Sequence, residues 1–135
     1  MATLFYTSAS FILAGLSLHL TTAENIAFHV RGGSVLLNDG NGFKSDYPGY
    51  FSAPVSGVYH FKVHFCQSSP THLLLKKGYQ LLESSTTIEA CDSFTTIAKV
   101  QKNESVSLES QSLYGNYFPD DNIGYSFMGF LLYEI

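Results

Sequence analysis

The sequence predicts an all-β fold, a sandwich or a barrel, from three observations. Aromatic residues make up 15% of the 135 residues and charged residues only 13%, and aromatic and β-branched side chains are enriched in strands. The stretch Tyr50–Phe65 alternates between apolar and polar residues from Gly57 onward. Turn signals recur at fairly regular spacing, so we expect about eight to ten short strands and no helix.

The long strand after Gly57 is the centre of this prediction. A period of two gives it one buried face and one face open to water or to a partner. A shorter strand, Tyr50–Ala53, precedes it, and a tight turn containing Pro54 joins the two. The buried set is Tyr59, Phe61, Val63 and Phe65, and the outer set is His60, Lys62 and His64.

The other strands are predicted from shorter apolar runs between turns. Asn38–Gly42 is a strong turn signal, because Asn and Gly accept a positive φ. Ser84–Glu89 is expected to be a loop, and Gly129 to interrupt the last strand. Strongly apolar first and last strands are expected side by side at the centre of a sheet, as in jelly rolls. The predicted strands are Thr7–Ala14, Ile26–Val30, Ser34–Leu37, His72–Lys77, Gln80–Glu83, Phe94–Val100, Ser105–Glu109 and Tyr125–Ile135.

Charge and hydropathy exclude several partners. A net charge of −4 without a basic run disfavours nucleic acid and anionic membrane surfaces. The apolar run Phe11–Leu18 is too short to span a membrane. It is similar to the core of a secretory signal but lacks a preceding Lys or Arg, so we interpret it as part of a native strand. Whether residues 1–23 are partly a signal segment stays open.

Cys66 and Cys91 lie at the end of one predicted strand and near the start of another. Their spacing does not suggest a zinc site. In an oxidising compartment they can pair, which would stabilise the fold by roughly 3 kcal/mol on the loop-entropy model. Paired and free cysteines both remain open at this point.

Catalytic motifs are missing from the sequence. It contains no G-x-S-x-G elbow, no H-E-x-x-H and no phosphate-binding glycine loop. We therefore predict that the protein is not an enzyme and requires no cofactor.

Several segments resemble, in order, the globular-head domain of the complement C1q family. Phe51–Phe61 is similar to the F-x-A-P-x-x-G-x-Y-x-F signature, and Ser126–Tyr133 to the terminal S-x-F-x-G-F-L-L-Y strand with the serine one place closer. Leu36–Phe43 resembles the L-x-N-x-G-x-G-Y segment, and Leu73–Lys77 the L-x-K-(K/N) strand. Phe11 falls where the first-strand Phe of the family sits. The insert at residues 29–34 is longer than is usual in the family, and no stalk precedes the head in this sequence.

The resemblance implies a ten-stranded, two-sheet jelly roll, with one C1q-like domain over residues 1–135. It also implies a secreted homotrimer that binds ligands without catalysis; the tumour necrosis factor fold is a structural cousin. We expect aromatic side chains of the middle and final strands, including Phe61 and Phe130, to meet inside the sandwich.

The outer set of the long strand has two interpretations. The residue pattern alone allows a solvated face, whereas the resemblance implies a trimer interface, with a metal or ligand on the three-fold axis as a minor alternative. Histidines at an interface would make assembly sensitive to pH near the ordinary histidine pKa of about 6.5. The interface residues implied are Tyr59, His60, Lys62, His64, Phe127 and Phe130.

The segment 111–125 is the predicted ligand-binding surface. It combines aromatic rings, which stack on sugars, with carboxylates and amides, which bind paired hydroxyls. The alternative is an ordinary loop of turn-forming residues, and Asp120 and Asp121 can also offer oxygens to calcium. The predicted binding residues are Tyr114, Tyr117, Asp120, Asp121 and Asn122.

The Asn103–Ser105 turn has three interpretations. Asn103 opens an N-x-S glycosylation acceptor if the chain is secreted by a eukaryote. Glu104 is a candidate calcium ligand, because the resemblance places a calcium site of the family here. A plain polar turn is the third.

We therefore predict a secreted, lectin-like recognition protein that binds glycans or other microbial or cell-surface ligands as a trimer. The alternative is a structural or signalling module that binds a protein receptor or a matrix partner.

Overall fold

The computed structural model describes residues 25–46, 49–67, 72–85, 90–112, 115–117 and 125–135. All of the regular structure in these ranges is β-strand. The strands are β1 (Ala27–Arg31), β2 (Ser34–Asp39), β3 (Phe43–Lys44), β4 (Tyr50–Ser52), β5 (Gly57–Gln67), β6 (His72–Lys77), β7 (Gln80–Ser85), β8 (Ala90–Val100), β9 (Ser105–Ser112), β10 (Gly115–Tyr117) and β11 (Tyr125–Glu134).

The strands form two antiparallel sheets. One has five strands in the order β2-β1-β11-β5-β8, and the other has the order β3-β4-β9-β6-β7 with the short β10 paired to β9. Ten strands therefore lie on the two sheet paths, which confirms the predicted ten-stranded jelly roll. The last strand is central, between β1 and β5. The predicted strand Thr7–Ala14 lies outside the described residues.

The core lies between the sheets and is mainly aromatic. Phe28 stacks on Phe51 with ring centroids 4.9 Å apart, and Phe127 meets Phe28 edge-on at 4.8 Å. The predicted buried set of β5 is confirmed, since all four of its side chains are fully buried. Burying large aromatic side chains supplies much of the driving force for folding. The fold is therefore organised around the inner face of β5.

Gly129 does not interrupt β11, contrary to the sequence prediction. The strand continues through it, paired with β5 on one side and β1 on the other. A Cβ at this position would lie 2.6 Å from Cε1 of Phe28 and 2.8 Å from Cδ1 of Phe61. Because Gly129 has no side chain, the two rings can pack directly against the backbone of β11.

The predicted element bounds differ from the observed ones mainly at strand ends. The strand at 72–77 has the predicted bounds, whereas β8 starts four residues earlier than predicted and remains paired with β5 as far as Gln67. β7 continues through Ser85 into the predicted loop. The Asn38–Gly42 turn is confirmed, with positive φ at Gly40 and Asn41. β7 and β8 extend into polar sequence because they remain paired with β6 and β5, respectively, along their whole length.

Candidate functional site

The outer face of the five-stranded sheet carries the candidate functional site. Antiparallel register places residues that are directly opposite each other on the same face. The outer face therefore has three rows of side chains, each read in the strand order β1, β11, β5 and β8. The first row is Ala27, Phe130, His60 and Ile97. The second is His29, Met128, Lys62 and Thr95, and the third is Arg31, Ser126, His64 and Ser93. The predicted outer set of β5 supplies one residue to each row.

The first row and its neighbour Tyr133 form what we call the apolar end of the face. Phe130, Ile97 and Tyr133 are 43%, 61% and 59% exposed. The rings of Phe130 and His60 are in contact, with centroids 5.0 Å apart and planes tilted by 30°. Exposed apolar side chains grouped in this way are typical of surfaces that contact another protein.

His60 places one buried polar atom at the apolar end. Its Nδ1 atom is buried and has no hydrogen-bond partner among the described residues. Buried polar atoms in folded proteins nearly always have a partner, and leaving one without costs about 1–3 kcal/mol. The apolar end thus contains a polar atom whose hydrogen bond the described part of one chain does not supply.

The second and third rows form what we call the cationic end. Its side chains line an open cavity of about 560 Å³. Nε2 of His29 lies 3.0 Å from Oγ of Ser126, which ties β1 to β11 across the cavity floor. No acidic residue occurs among the described residues that line this cavity. The basic side chains among them are His29, Arg31, Lys62 and His64.

A disulfide between Cys66 and Cys91 closes one side of the cationic end. The two residues lie directly opposite each other on β5 and β8, with Cα atoms 3.9 Å apart. Nε2 of His64 lies 3.9 Å from Sγ of Cys66. The disulfide that the sequence left open is therefore present, and it links β8, at the end of the sheet, covalently to β5.

Two of the predicted interface residues are core residues. Tyr59 and Phe127 are 0% and 2% exposed in the single chain, because both point between the sheets. The Tyr59 hydroxyl donates a hydrogen bond to the carbonyl of Val55 at 2.7 Å. Neither side chain is available to a second subunit, so their assignment to an interface was wrong. His60, Lys62 and His64 do lie on the outer face.

Phe130 also differs from its prediction. Phe61 is fully buried as expected, but Phe130 points outward because it lies three positions after Phe127 and therefore on the opposite side of β11. The aromatic residue of the final strand that meets Phe61 inside the sandwich is Phe127, with ring centroids 6.3 Å apart.

The predicted ligand-binding surface lies almost wholly beyond the described ranges. Tyr114, Asp120, Asp121 and Asn122 are outside them. The backbone of Tyr117 belongs to β10 and pairs with Ser110. Binding by these five residues stays a prediction.

The turn at 101–104 contains the predicted calcium ligand and glycosylation site. Oε1 of Glu104 accepts a hydrogen bond from the backbone N–H of Gln101 at 2.7 Å. Asn103 is exposed and has a φ of 71°. No group of three or more His, Cys, Asp or Glu residues that could hold a metal ion occurs in the described ranges. Calcium binding at Glu104 and glycosylation at Asn103 both stay predictions.

Sequence reasoning missed the residues that β1 and β11 contribute to the cationic end. His29, Arg31 and Ser126 lie far from β5 in the chain, and only the strand order brings them beside Lys62 and His64. His29 and Arg31 alternate with the buried Phe28 and Val30, and this pattern alone predicts that the side chains of His29 and Arg31 point outward. Which residues of other strands lie beside them cannot be predicted without the register of the sheet.

The order of strands in its two antiparallel sheets defines a class, the two-sheet jelly-roll domain. A C1q domain model matches residues 13–132. The chain therefore belongs to the C1q domain family, which confirms the resemblance stated from the sequence. The family match leaves the single-domain prediction for residues 1–135 untested. None of the curated proteins compared with this chain matches it.

Solved structures show the same fold. The globular domain of zebrafish complement 1qA protein is 21% identical, with a TM-score of 0.66 over 83% of this chain and 100% of that one. Pika GITRL is 14% identical, with a TM-score of 0.58 over 82% of this chain and 98% of that one. Bushbaby GITRL is 12% identical, with a TM-score of 0.59 over 83% and 100%.

Membership of this family defines function at a coarse level. Domains of the C1q family mediate ligand or receptor binding, are generally non-enzymatic, and typically form trimers outside the cell. No helix in the described ranges is long and apolar enough to cross a membrane.

Proposed function

We propose that this chain is a secreted, non-enzymatic recognition domain that works as a homotrimer and binds glycans or other microbial or cell-surface ligands. The observation that carries the trimer is the apolar end. Exposed Phe130, Ile97 and Tyr133 occupy one end of the face that the resemblance assigns to subunit packing. Burial of apolar area is the dominant favourable term in most protein association.

The disulfide supports an extracellular site of action. Disulfides persist in oxidising compartments and are rare in the cytosol. The Cys66–Cys91 pair links two strands of one sheet within a single chain. It therefore suits a head domain that has to remain folded outside the cell.

The trimer is tested by sedimentation equilibrium of the wild type and of Phe130→Ser and Ile97→Ser. We expect a trimer for the wild type and a shift toward monomer for both variants, because each removes apolar area from the contact. Tyr79→Ser is the matched control, since Tyr79 is 102% exposed at the hairpin between β6 and β7, on the other sheet. A monomeric wild type at all concentrations contradicts the proposal.

The ligand class is tested on a glycan array. Saturable binding that is lost in Tyr117→Ala or Asp121→Ala supports the lectin-like function and the predicted loop. A trimer that binds no glycan favours the alternative, a structural or signalling module with a protein receptor or matrix partner. Added EDTA tests the calcium prediction in the same assay: loss of binding that added calcium restores supports a calcium site, and unchanged binding contradicts it.

A further inference from the structure

We propose that the cationic end of the outer face is covered in the trimer by an acidic surface of a sister subunit. That surface is the side of the sandwich where β7 and β8 end the two sheets, and it carries Glu83 and Asp92. The inference deepens the proposed trimer and rests on it, because it states which surface of one copy meets which surface of the next.

The first argument is the charge of the cationic end. The chain has a net charge of −4 and only seven Lys and Arg residues, yet Arg31 and Lys62 line one cavity together with two histidines. No acidic residue occurs among the described residues of its lining. A sister subunit that covers this end removes these cations from water, and a charge that is buried without a partner is costly. The surface that covers them therefore has to carry carboxylates.

The second argument excludes a contact between two identical patches at this end. Such a contact would place Arg31 and Lys62 of one copy against Arg31 and Lys62 of the next, and like charges brought together at an interface disfavour binding. A ring can also form from heterologous contacts, in which two different patches of the subunit meet. The cationic end therefore needs a surface of the sister copy other than itself.

The third argument is the charge of the β7–β8 side. β7 and β8 are the last strands of their sheets, and the Ser85 hydroxyl donates a hydrogen bond to Oδ2 of Asp92 at 2.5 Å, which joins the two strands. The charged residues of the two strands are Glu83, Asp92 and Lys99. Lys99 lies seven residues after Asp92 on β8, which is about 23 Å at roughly 3.3 Å per residue. The end of this side that contains Asp92 is therefore acidic.

The fourth argument is the height of Asp92 along the strands. Asp92 pairs with Phe65, the residue after His64, and so lies beside the third row of the outer face. Rotation about an axis moves a residue around that axis and not along it. In a ring whose axis runs along the strands, Asp92 of the sister copy thus reaches the height of Arg31. Asp92 is exposed, and the two oxygens of a carboxylate can accept further hydrogen bonds while Ser85 stays bonded.

Other described acidic residues lie elsewhere or already have partners. Asp39 pairs with Ala27 and is therefore level with the apolar end. Glu109 forms an ion pair with Lys76 on the other sheet, with Oε2 and Nζ 2.8 Å apart. Glu104 accepts a hydrogen bond from the backbone of its own turn. The comparison therefore favours the β7–β8 side as the surface that meets the cationic end.

Sedimentation equilibrium of the full chain with charge-reversed variants tests the proposal. Arg31→Glu and Asp92→Arg should each weaken trimer association about tenfold, because each places like charges at the contact. The double variant Arg31→Glu, Asp92→Arg should recover most of this loss, since the reversed charges attract again. Circular dichroism and the thermal midpoint establish that each variant is folded. Glu83→Arg takes the place of Asp92→Arg if the loss of the Ser85 hydrogen bond unfolds the latter.

Lys44→Glu is the matched control for charge, because it makes the same change as Arg31→Glu at an exposed position on β3 of the other sheet. It should leave trimer association unchanged. Arg31→Gln distinguishes the two kinds of contact. It should weaken the trimer if the cationic end meets carboxylates, and strengthen the trimer if the cationic end meets its own copy.

Three results would overturn the proposal. The first is an Arg31→Gln trimer as strong as the wild type or stronger, and the second is a double variant no stronger than Arg31→Glu alone. The third is recovery of the Arg31→Glu trimer by Asp121→Arg and not by Asp92→Arg or Glu83→Arg, which would assign the acidic partner to the segment 111–125.

These outcomes are separate from those of the proposed function. A trimer that Phe130→Ser dissociates and Arg31→Glu leaves intact retains the proposed assembly and removes this inference. A wild type that is monomeric at all concentrations removes both.

Discussion

The inner and outer faces of β5 have opposite environments, and the outer face is itself not uniform. The inner side chains are fully buried among rings from both sheets. On the outer face, His60 lies between Phe130 and Ile97, whereas His64 lies between Ser126 and Ser93. Two histidines four residues apart on one strand therefore have apolar neighbours in one case and polar neighbours in the other. Cross-strand neighbours, rather than residue type, decide what an outer position can do.

Replacing one inner side chain tests the largest difference between the faces. Phe61→Ala should lower the free energy of unfolding by about 3–5 kcal/mol, because it removes a buried ring and leaves a cavity. Its outer-face neighbour provides the control, since Lys62→Ala should change stability by no more than about 0.5 kcal/mol. Urea denaturation followed by circular dichroism measures both. Similar losses in the two variants would contradict the assignment of the faces.

Removing the disulfide tests the outer face, where stability comes from a covalent link. The double variant Cys66→Ser, Cys91→Ser should lose about 3 kcal/mol on the loop-entropy model, for a sequence separation of 25 residues. Reductant should lower the stability of the wild type by a similar amount and leave the double variant unchanged. An effect of reductant on the double variant would point to a cause other than this bond.

A methyl group added to the inner face tests how closely the rings approach β11. Gly129→Ala should lower the free energy of unfolding by about 1–3 kcal/mol, because its Cβ would overlap Phe28 and Phe61. Gly78→Ala is less suitable as a control, since Gly78 has a positive φ. Thr95→Ala, at an exposed position of β8 on the outer face, is the better one. A Gly129→Ala protein of wild-type stability would show that the two rings move apart easily.

The fold was predictable from the sequence because a period of two specifies both the strand and its buried face. Tyr59, Phe61, Val63 and Phe65 follow this rule without exception. The wrong prediction of where the Phe130 side chain points has a local cause. Phe130 was assigned inward because it is aromatic, although its parity with Phe127 places it outside.

The candidate site was only partly predictable. Its residues on β5 were identified from alternation alone. Arg31 and Ser126 were not, because they become neighbours of Lys62 and His64 only through strand pairing over about 60 to 95 residues of chain. No local pattern carries that information.

The position of β11 also constrains when the fold can form. It follows every other described strand in the chain, yet its place is between β1 and β5. Synthesis delivers strands in chain order, so a nascent chain lacks the partner that joins these two strands until β11 emerges. During that interval β1 and β5 each expose an unpaired edge and an aromatic face. We expect the growing chain to depend on chaperones until translation has passed Glu134.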